Sequence, residues 1–349
     1  MFFHRFIFVF LIGGLVTREV FGIFDDDDLI YNATEAKGLW ALANAAYYTF
    51  NDSCVESEFY KPDDSIFLHS FNAECDSHNN KCGGFISVSE KINKIFVSFR
   101  GTDVVTQLTA EISDGLTAPV EFYGIGTTTL YFKDAHDTTW DFVEKVLSSD
   151  EYKDYDVVFT GHSLGGAMAS LGAARAFVLG LRASNQIKLV TFGQPRTGNK
   201  DYANYVNRNV PYAFRVVNIN DIVPKIPFCT ANVKTFFKKQ MDCDSTVDYG
   251  YFHHKNEIWY PVTMANITAY RTCNGFPIGE DPSCSQGVVY KITALLNTNQ
   301  LLNAHRRYFD TQVLSSDIVC PVITTESTST TSIFSKIFQK IKAIIKRIF

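Results

Sequence analysis

The chain has 349 residues, 46% of them hydrophobic and 20% charged, with a formal net charge of −5. That balance excludes a disordered, collagen-like or many-span membrane protein, and the acidity argues against nucleic acid as a partner, which calls for a concentrated basic surface. The length is generous for one domain, yet α/β folds extend past about 250 residues as a single unit.

Residues 1–22 read as a secretory signal peptide. Arg5 supplies the basic start, Phe6–Val16 is an apolar run of eleven, and Val20 and Gly22 are small residues before a cleavage point at Ile23. The run is too short to cross about 30 Å of hydrocarbon, which argues against a membrane anchor. A secreted, extracellular or lumenal chain meets oxidising conditions, so Cys54, Cys75, Cys82, Cys229, Cys243, Cys273, Cys284 and Cys320 are disulfide candidates. No CxxC spacing or His/Cys cluster points to zinc, and no cofactor or metal is expected. Asn32, Asn51 and Asn266 head Asn-x-Ser/Thr triplets and are glycosylation candidates.

From residue 36 onward strands alternate with helices. Lys94–Phe99 is a predicted strand, Thr139–Leu147 a helix and Tyr155–Thr160 a β-branched strand. The Ala-rich segment Gly165–Gly180 is helical, Gln186–Phe192 is a strand, Asp201–Asn207 a short helix, and Tyr212–Val217 another strand. Such alternation implies an α/β fold with a mostly parallel central sheet covered by helices on both faces. With no internal repeat and no Pro/Gly-rich break, residues 23–320 are expected to form one domain. Thr324–Ser332 holds eight Ser/Thr in nine residues, so 321–332 reads as a linker. Beyond it, residues 333–349 place Ile333, Ile337, Ile341, Ile344 and Ile348 on one helical face, with four lysines and Arg347 around the rest. A basic amphipathic helix of this kind suits an anionic membrane surface, the rival reading being a helix docked on its own acidic domain.

The chemistry centres on Gly161-His162-Ser163-Leu164-Gly165, which lies between a predicted strand and a predicted helix. A Gly-x-Ser-x-Gly turn there lifts a serine hydroxyl above the C-terminal edge of the sheet, and the flanking glycines remove Cβ atoms that would clash. A serine needs a base to take its proton and a carboxylate to orient that base. In the α/β-hydrolase fold both follow the serine, in the order Ser, acid, His. Asp221, just past the strand ending at Val217, fits the acid. The histidines after it are His253, His254 and His305; fold logic favours His305, near the end of the domain. His162, beside Ser163, is expected to point into the sheet or turn and is excluded as the base.

Four segments together resemble the class 3, or fungal-type, lipases: Ser-Phe-Arg-Gly-Thr (98–102), Val-Phe-Thr-Gly-His-Ser-Leu-Gly-Gly-Ala (158–167), Thr-Phe-Gly-Gln-Pro-Arg-Thr-Gly-Asn (191–199) and Asn-Asp-Ile-Val-Pro (220–224). The resemblance runs in order from about Ala36 to Cys320. It implies an α/β-hydrolase with Ser163 as nucleophile, Asp221 as acid and His305 as base, because Ala-His-x-x-Tyr-Phe resembles the family's catalytic-histidine segment, while His253/His254 match a non-catalytic position. It also implies an oxyanion hole from Leu164 and Thr102, and a lid at Asp103–Val120. Cys54 would pair with Cys320 and Cys75 with Cys82, while Cys229–Cys243 and Cys273–Cys284 would pair by proximity.

Three features depart from the pattern: Tyr123–Phe132 lacks the family's His-x-Gly-Phe run, the interval from Asp221 to His305 is longer with two extra cysteines, and the amphipathic tail has no counterpart. The expected function is secreted cleavage of glycerolipid esters at a lipid interface, triacylglycerol first. Phospholipase A1 or feruloyl-type carboxylesterase activity on the same triad is the enzymatic alternative. A non-catalytic lipid-binding or membrane-active protein acting through the tail is the alternative of another class.

Overall fold

The computed structural model describes residues 29–47, 64–75, 80–101, 119–227, 229, 243, 250–275, 279–288 and 303–313. The signal segment 1–22, Asn51, Cys54, Thr102, the lid residues 103–118, Cys320, the linker and the tail lie outside them.

Eight strands form one sheet: β1 (Ile66–Glu74), β2 (Lys81–Ser89), β3 (Lys94–Phe99), β4 (Asp156–His162), β5 (Ile187–Phe192), β6 (Tyr212–Asn218), β7 (Glu257–Tyr260) and β8 (Arg271–Cys273). They lie side by side in chain order. β1, β2 and β3 pair antiparallel, β3 through β7 run parallel, and β8 closes the far edge antiparallel to β7. The parallel run is what the strand–helix alternation implies, because parallel neighbours need long crossovers. It also gathers the C-terminal ends of five strands on one edge, where loops carry chemistry in open α/β sheets.

Among the described residues, four helices cover the sheet: α1 (Ala33–Ala45), α2 (Leu130–Leu147), α3 (Leu164–Val178) and α4 (Lys200–Asn209). Asn32 starts α1, its Oδ1 accepting the Thr34 and Glu35 N–H groups at 3.0 Å, and Thr129 caps α2 through Phe132 N–H at 3.0 Å. Strand side chains alternate between two cores. Val97, Phe99, Val157, Phe159 and Leu189 pack with α2, α3 and α4, while Phe96, Val158, Val190 and Phe192 pack with Trp40 and the rest of α1. Each such buried Val, Leu or Phe contributes about 1.5–3 kcal/mol relative to exposure. Two-sided burial explains why these strands read as nearly continuous apolar runs.

Several elements differ from the sequence reading at their ends. The helix expected over Thr139–Leu147 begins at Leu130, and β4 continues to His162, directly into the serine turn. Among the described residues, no helix is long and apolar enough to cross a membrane.

Candidate active site

β4 lies between β3 and β5, with Gly161 opposite Phe99 and His162 opposite Phe192. The chain must reverse from this strand into α3 within one residue. Ser163 does so at φ 59° and ψ −128°, a conformation that costs a non-glycine residue roughly 1–3 kcal/mol. The Ser163 N–H, bonded to the Phe192 carbonyl at 2.9 Å, holds it there. A Cβ on Gly161 would collide with the Gly165 carbonyl, and one on Gly165 with the Phe99 carbonyl. Both glycines of the pentapeptide are therefore needed for close approach. Leu164 opens α3, so its N–H has no acceptor within the helix and lies at the positive end of the helix dipole.

Asp221 follows β6 through a turn in which its N–H donates to the Asn218 carbonyl at 2.9 Å. Its carboxylate is buried and accepts from groups on both sides. Val223 N–H donates to Oδ1 at 2.9 Å, the Tyr308 hydroxyl donates to Oδ2 at 2.7 Å, and His305 Nδ1–H reaches Oδ2 at 2.9 Å and Oδ1 at 3.0 Å. With Nδ1 carrying the proton, Nε2 is the basic nitrogen of His305. Gly193, at the end of β5, lets this pair sit against the sheet edge: it has φ +57°, and a Cβ there would lie 2.7 Å from Asp221 Oδ2 and 2.9 Å from His305 Nδ1.

The backbone around His305 is held from the sheet. Asn218 Nδ2 donates to the Ala304 carbonyl at 3.1 Å and the Arg307 carbonyl at 2.6 Å. His162 is buried, as expected, and both ring nitrogens find partners: Nε2 lies 2.7 Å from the His305 carbonyl and Nδ1 2.7 Å from the Tyr47 hydroxyl. The reading of the pentapeptide left this side chain without a partner, since both partners are far away in sequence. Tyr308, Asn218 and Gly193 were missed for the same reason, although Tyr308 sits three residues after His305 and Gly193 directly after a predicted strand.

The other two histidines are committed elsewhere. His253 Nε2 lies 2.7 Å from the Pro224 carbonyl and its N–H donates to Glu280, while His254 Nδ1 lies 3.1 Å from the Lys255 carbonyl. Burial pushes His254 down to about 3 and His253 well below the ordinary histidine value. They adjoin two buried ion pairs, Arg196–Glu280 at 2.9 Å and Arg215–Glu257 at 3.3 Å. Arg196 also donates to the Lys225 and Pro227 carbonyls, which ties the segment after Asp221 to the long interval preceding His305. Burial, and next the Arg196 charge, push Lys225 down to about 7.

Glu257, Cys273 and Cys284 could resemble a metal set, but the two sulfurs form a disulfide and Glu257 accepts from Ser285 N–H and Arg215. Cys75–Cys82 and Cys229–Cys243 are also bonded. Asn32 and Asn266 are both exposed.

The sequence model described as Lipase (class 3) matches residues 96–231. A lipase of Caenorhabditis elegans is 40% identical over 309 residues, covering 87% of each chain. A lipase of Rhizomucor miehei is 37% identical over 140 residues, 38% of this chain and 37% of that one. The solved structure of the Rhizomucor miehei triacylglyceride lipase superposes with a TM-score of 0.60 at 22% identity, covering 82% of this chain and 96% of that one. At that identity the superposition speaks for the α/β-hydrolase fold.

Proposed function

Because the chain belongs to the class 3 lipase family and is a carboxylic-ester hydrolase, we propose that it is a secreted lipase that cleaves glycerolipid esters, triacylglycerol foremost, through Ser163, Asp221 and His305. The observation that carries the triad is the buried Asp221–His305 pair, 2.9 Å apart on the sheet edge where the Ser163 turn emerges. Ser163 Oγ attacks the ester carbonyl as His305 Nε2 takes its proton. Asp221 keeps Nδ1 protonated and stabilises the imidazolium that forms. Leu164 N–H and Thr102 bind the oxyanion, each donor contributing about 10²–10³ in kcat. His305 then protonates the leaving alcohol, and water, activated by the same nitrogen, releases the acyl group from Ser163.

Three disulfides among the described residues support an oxidising compartment. The domain layout is a signal peptide at 1–22, the hydrolase at 23–320, a linker at 321–332 and a cationic lipid-binding helix at 333–349. The charge divides to match: residues 23–332 carry 25 basic against 36 acidic side chains, and the tail carries five basic and no acidic ones. An acidic body is repelled by anionic lipid, and a tethered cationic helix offsets that repulsion.

Fluorophosphonate labelling tests the triad. The native chain should label and Ser163→Ala should not; labelling of the alanine variant, or none of the native chain, overturns it. Hydrolysis of emulsified triolein, phosphatidylcholine and aryl esters tests the substrate, and a preference for either of the last two would reassign it.

A further inference from the structure

His162 is the residue before the proposed nucleophile, and its side chain reaches the backbone of the proposed base. The imidazole is 2% exposed. It stands edge-on to Trp40 at 5.4 Å between centroids and lies 4.4 Å from the His305 ring. A carbonyl oxygen only accepts, so the 2.7 Å contact with the His305 carbonyl places the proton on Nε2. Nδ1 of the neutral ring is then an acceptor, and the Tyr47 hydroxyl donates to it at 2.7 Å. Tyr47 is itself wedged against the β3 turn, since a Cβ on Gly101 would collide with its hydroxyl and with the His162 carbonyl.

The consequence is mechanical. A planar ring with no internal torsion connects the backbone next to Ser163 with the backbone of His305, two positions 143 residues apart. We propose that His162 is a positioning residue for acyl transfer, a rigid strut whose Nε2–H sets the separation between the Ser163 hydroxyl and His305. The inference rests on the triad reading. It fits the charge requirements of turnover, because burial, and next the nearby His305, push His162 well below the ordinary histidine range. The strut therefore stays neutral while His305 carries the proton.

Two variants of the full chain, assayed on a soluble p-nitrophenyl ester, separate the strut from mere packing. His162→Leu fills the space without a donor. His162→Gln keeps an amide N–H at the reach of Nε2. A misplacement on the order of 1 Å costs roughly 10²-fold, so His162→Leu should lower kcat by about ten- to a hundredfold with KM changed less than about threefold. Fluorophosphonate labelling of Ser163 should slow by a similar factor. His162→Gln should recover kcat to within about fivefold of the native chain.

Native kcat in His162→Leu overturns the proposal, as does an equal loss in both variants when both melt like the native chain. If the leucine variant does not fold, His162→Asn carries the test: its shorter amide reaches Tyr47 but not the His305 carbonyl. Asparagine falling well below glutamine supports the strut, and equality refutes it. Failure of the triad reading shows separately, as absent labelling in the native chain.

Discussion

Removing the one hydroxyl of Tyr308 that contacts Asp221 gives a sharp test of how the proposed acid is held. Tyr308 is fully buried and packs on Trp40, His162 and Phe192 with centroids at 5.1, 5.7 and 5.8 Å. Tyr308→Phe keeps those ring contacts and deletes the 2.7 Å bond to Asp221 Oδ2 together with a backbone hydrogen bond from Asn218 to the phenol oxygen. Burial, then the adjacent Asp221 charge, push the phenol well above its ordinary value, so it is a donor at every working pH.

A hydrogen bond to a charged group contributes about 1.5–3 kcal/mol. Asp221 keeps the Val223 N–H and His305, so its charge is not orphaned and the loss should fall near the lower end, about 1.5–2 kcal/mol. At about 2.1 cal/mol/K per residue, a domain of about 300 residues loses about 1.6 °C of Tm per kcal/mol, which predicts a fall of about 2–3 °C. The carboxylate then turns more freely, and kcat/KM should drop by up to about tenfold, equivalent to about 1.4 kcal/mol. Thermal melts and soluble-ester kinetics read both quantities. A Tm within about 1 °C of the native value with unchanged turnover would refute the bond's contribution. A loss beyond about a hundredfold at native Tm would instead put Tyr308 on the reacting atoms.

Acid stability follows from the buried histidines. Burial pushes His136 down to about 3, whereas an unfolded histidine takes its proton near 6.5. The unfolded chain thus binds the extra proton, so this stabilisation is complete above about pH 6.5 and is lost as pH falls towards about 3, at about 1.4 kcal/mol per pH unit. His136 lies among Phe122 and Trp140, and His136→Phe should flatten that slope by about one proton's worth in denaturation midpoints measured from about pH 6.5 to about pH 4. An unchanged slope would contradict the assignment. Deleting Ile333–Phe349 should weaken partition onto anionic vesicles at least about tenfold, given about 1 kcal/mol per basic residue near the surface, and leave soluble-ester turnover unaltered. Equal vesicle binding by both chains would end the tail's proposed role.

Much of the scaffold was legible because local patterns carried it. β3 coincides with its predicted span, since its apolar run is bounded by Lys94 and the Arg100-Gly101 turn. The elbow was legible because close packing forces glycine at two fixed offsets from the serine. The first half of α2 was not, because Lys133 and Asp137, paired at 2.6 Å, dilute the apolar signal. The β1–β2 pairing was missed as well: no two-residue turn signal separates Glu74 from Lys81, and the two strands are bridged by Cys75–Cys82. The supports of the site were hidden for a different reason. Tyr47 meets His162 across 115 residues, Asn218 meets Arg307 across 89, and Tyr308 meets Asp221 across 87. No local periodicity records such contacts.

The order of the site's parts along the chain gives its assembly a timetable. Ser163 and Asp221 leave the ribosome first, and His305 follows 84 residues after the carboxylate. At about 5–20 residues per second this is an interval of about 4–17 s. Throughout it the nascent chain holds the proposed nucleophile without the proposed base. The segment that Asn218 and His162 grip is among the last parts of the hydrolase to be made. On the proposed triad, synthesis itself acts as the safety catch: a chain cut short before His305 has the nucleophile's position without its reactivity.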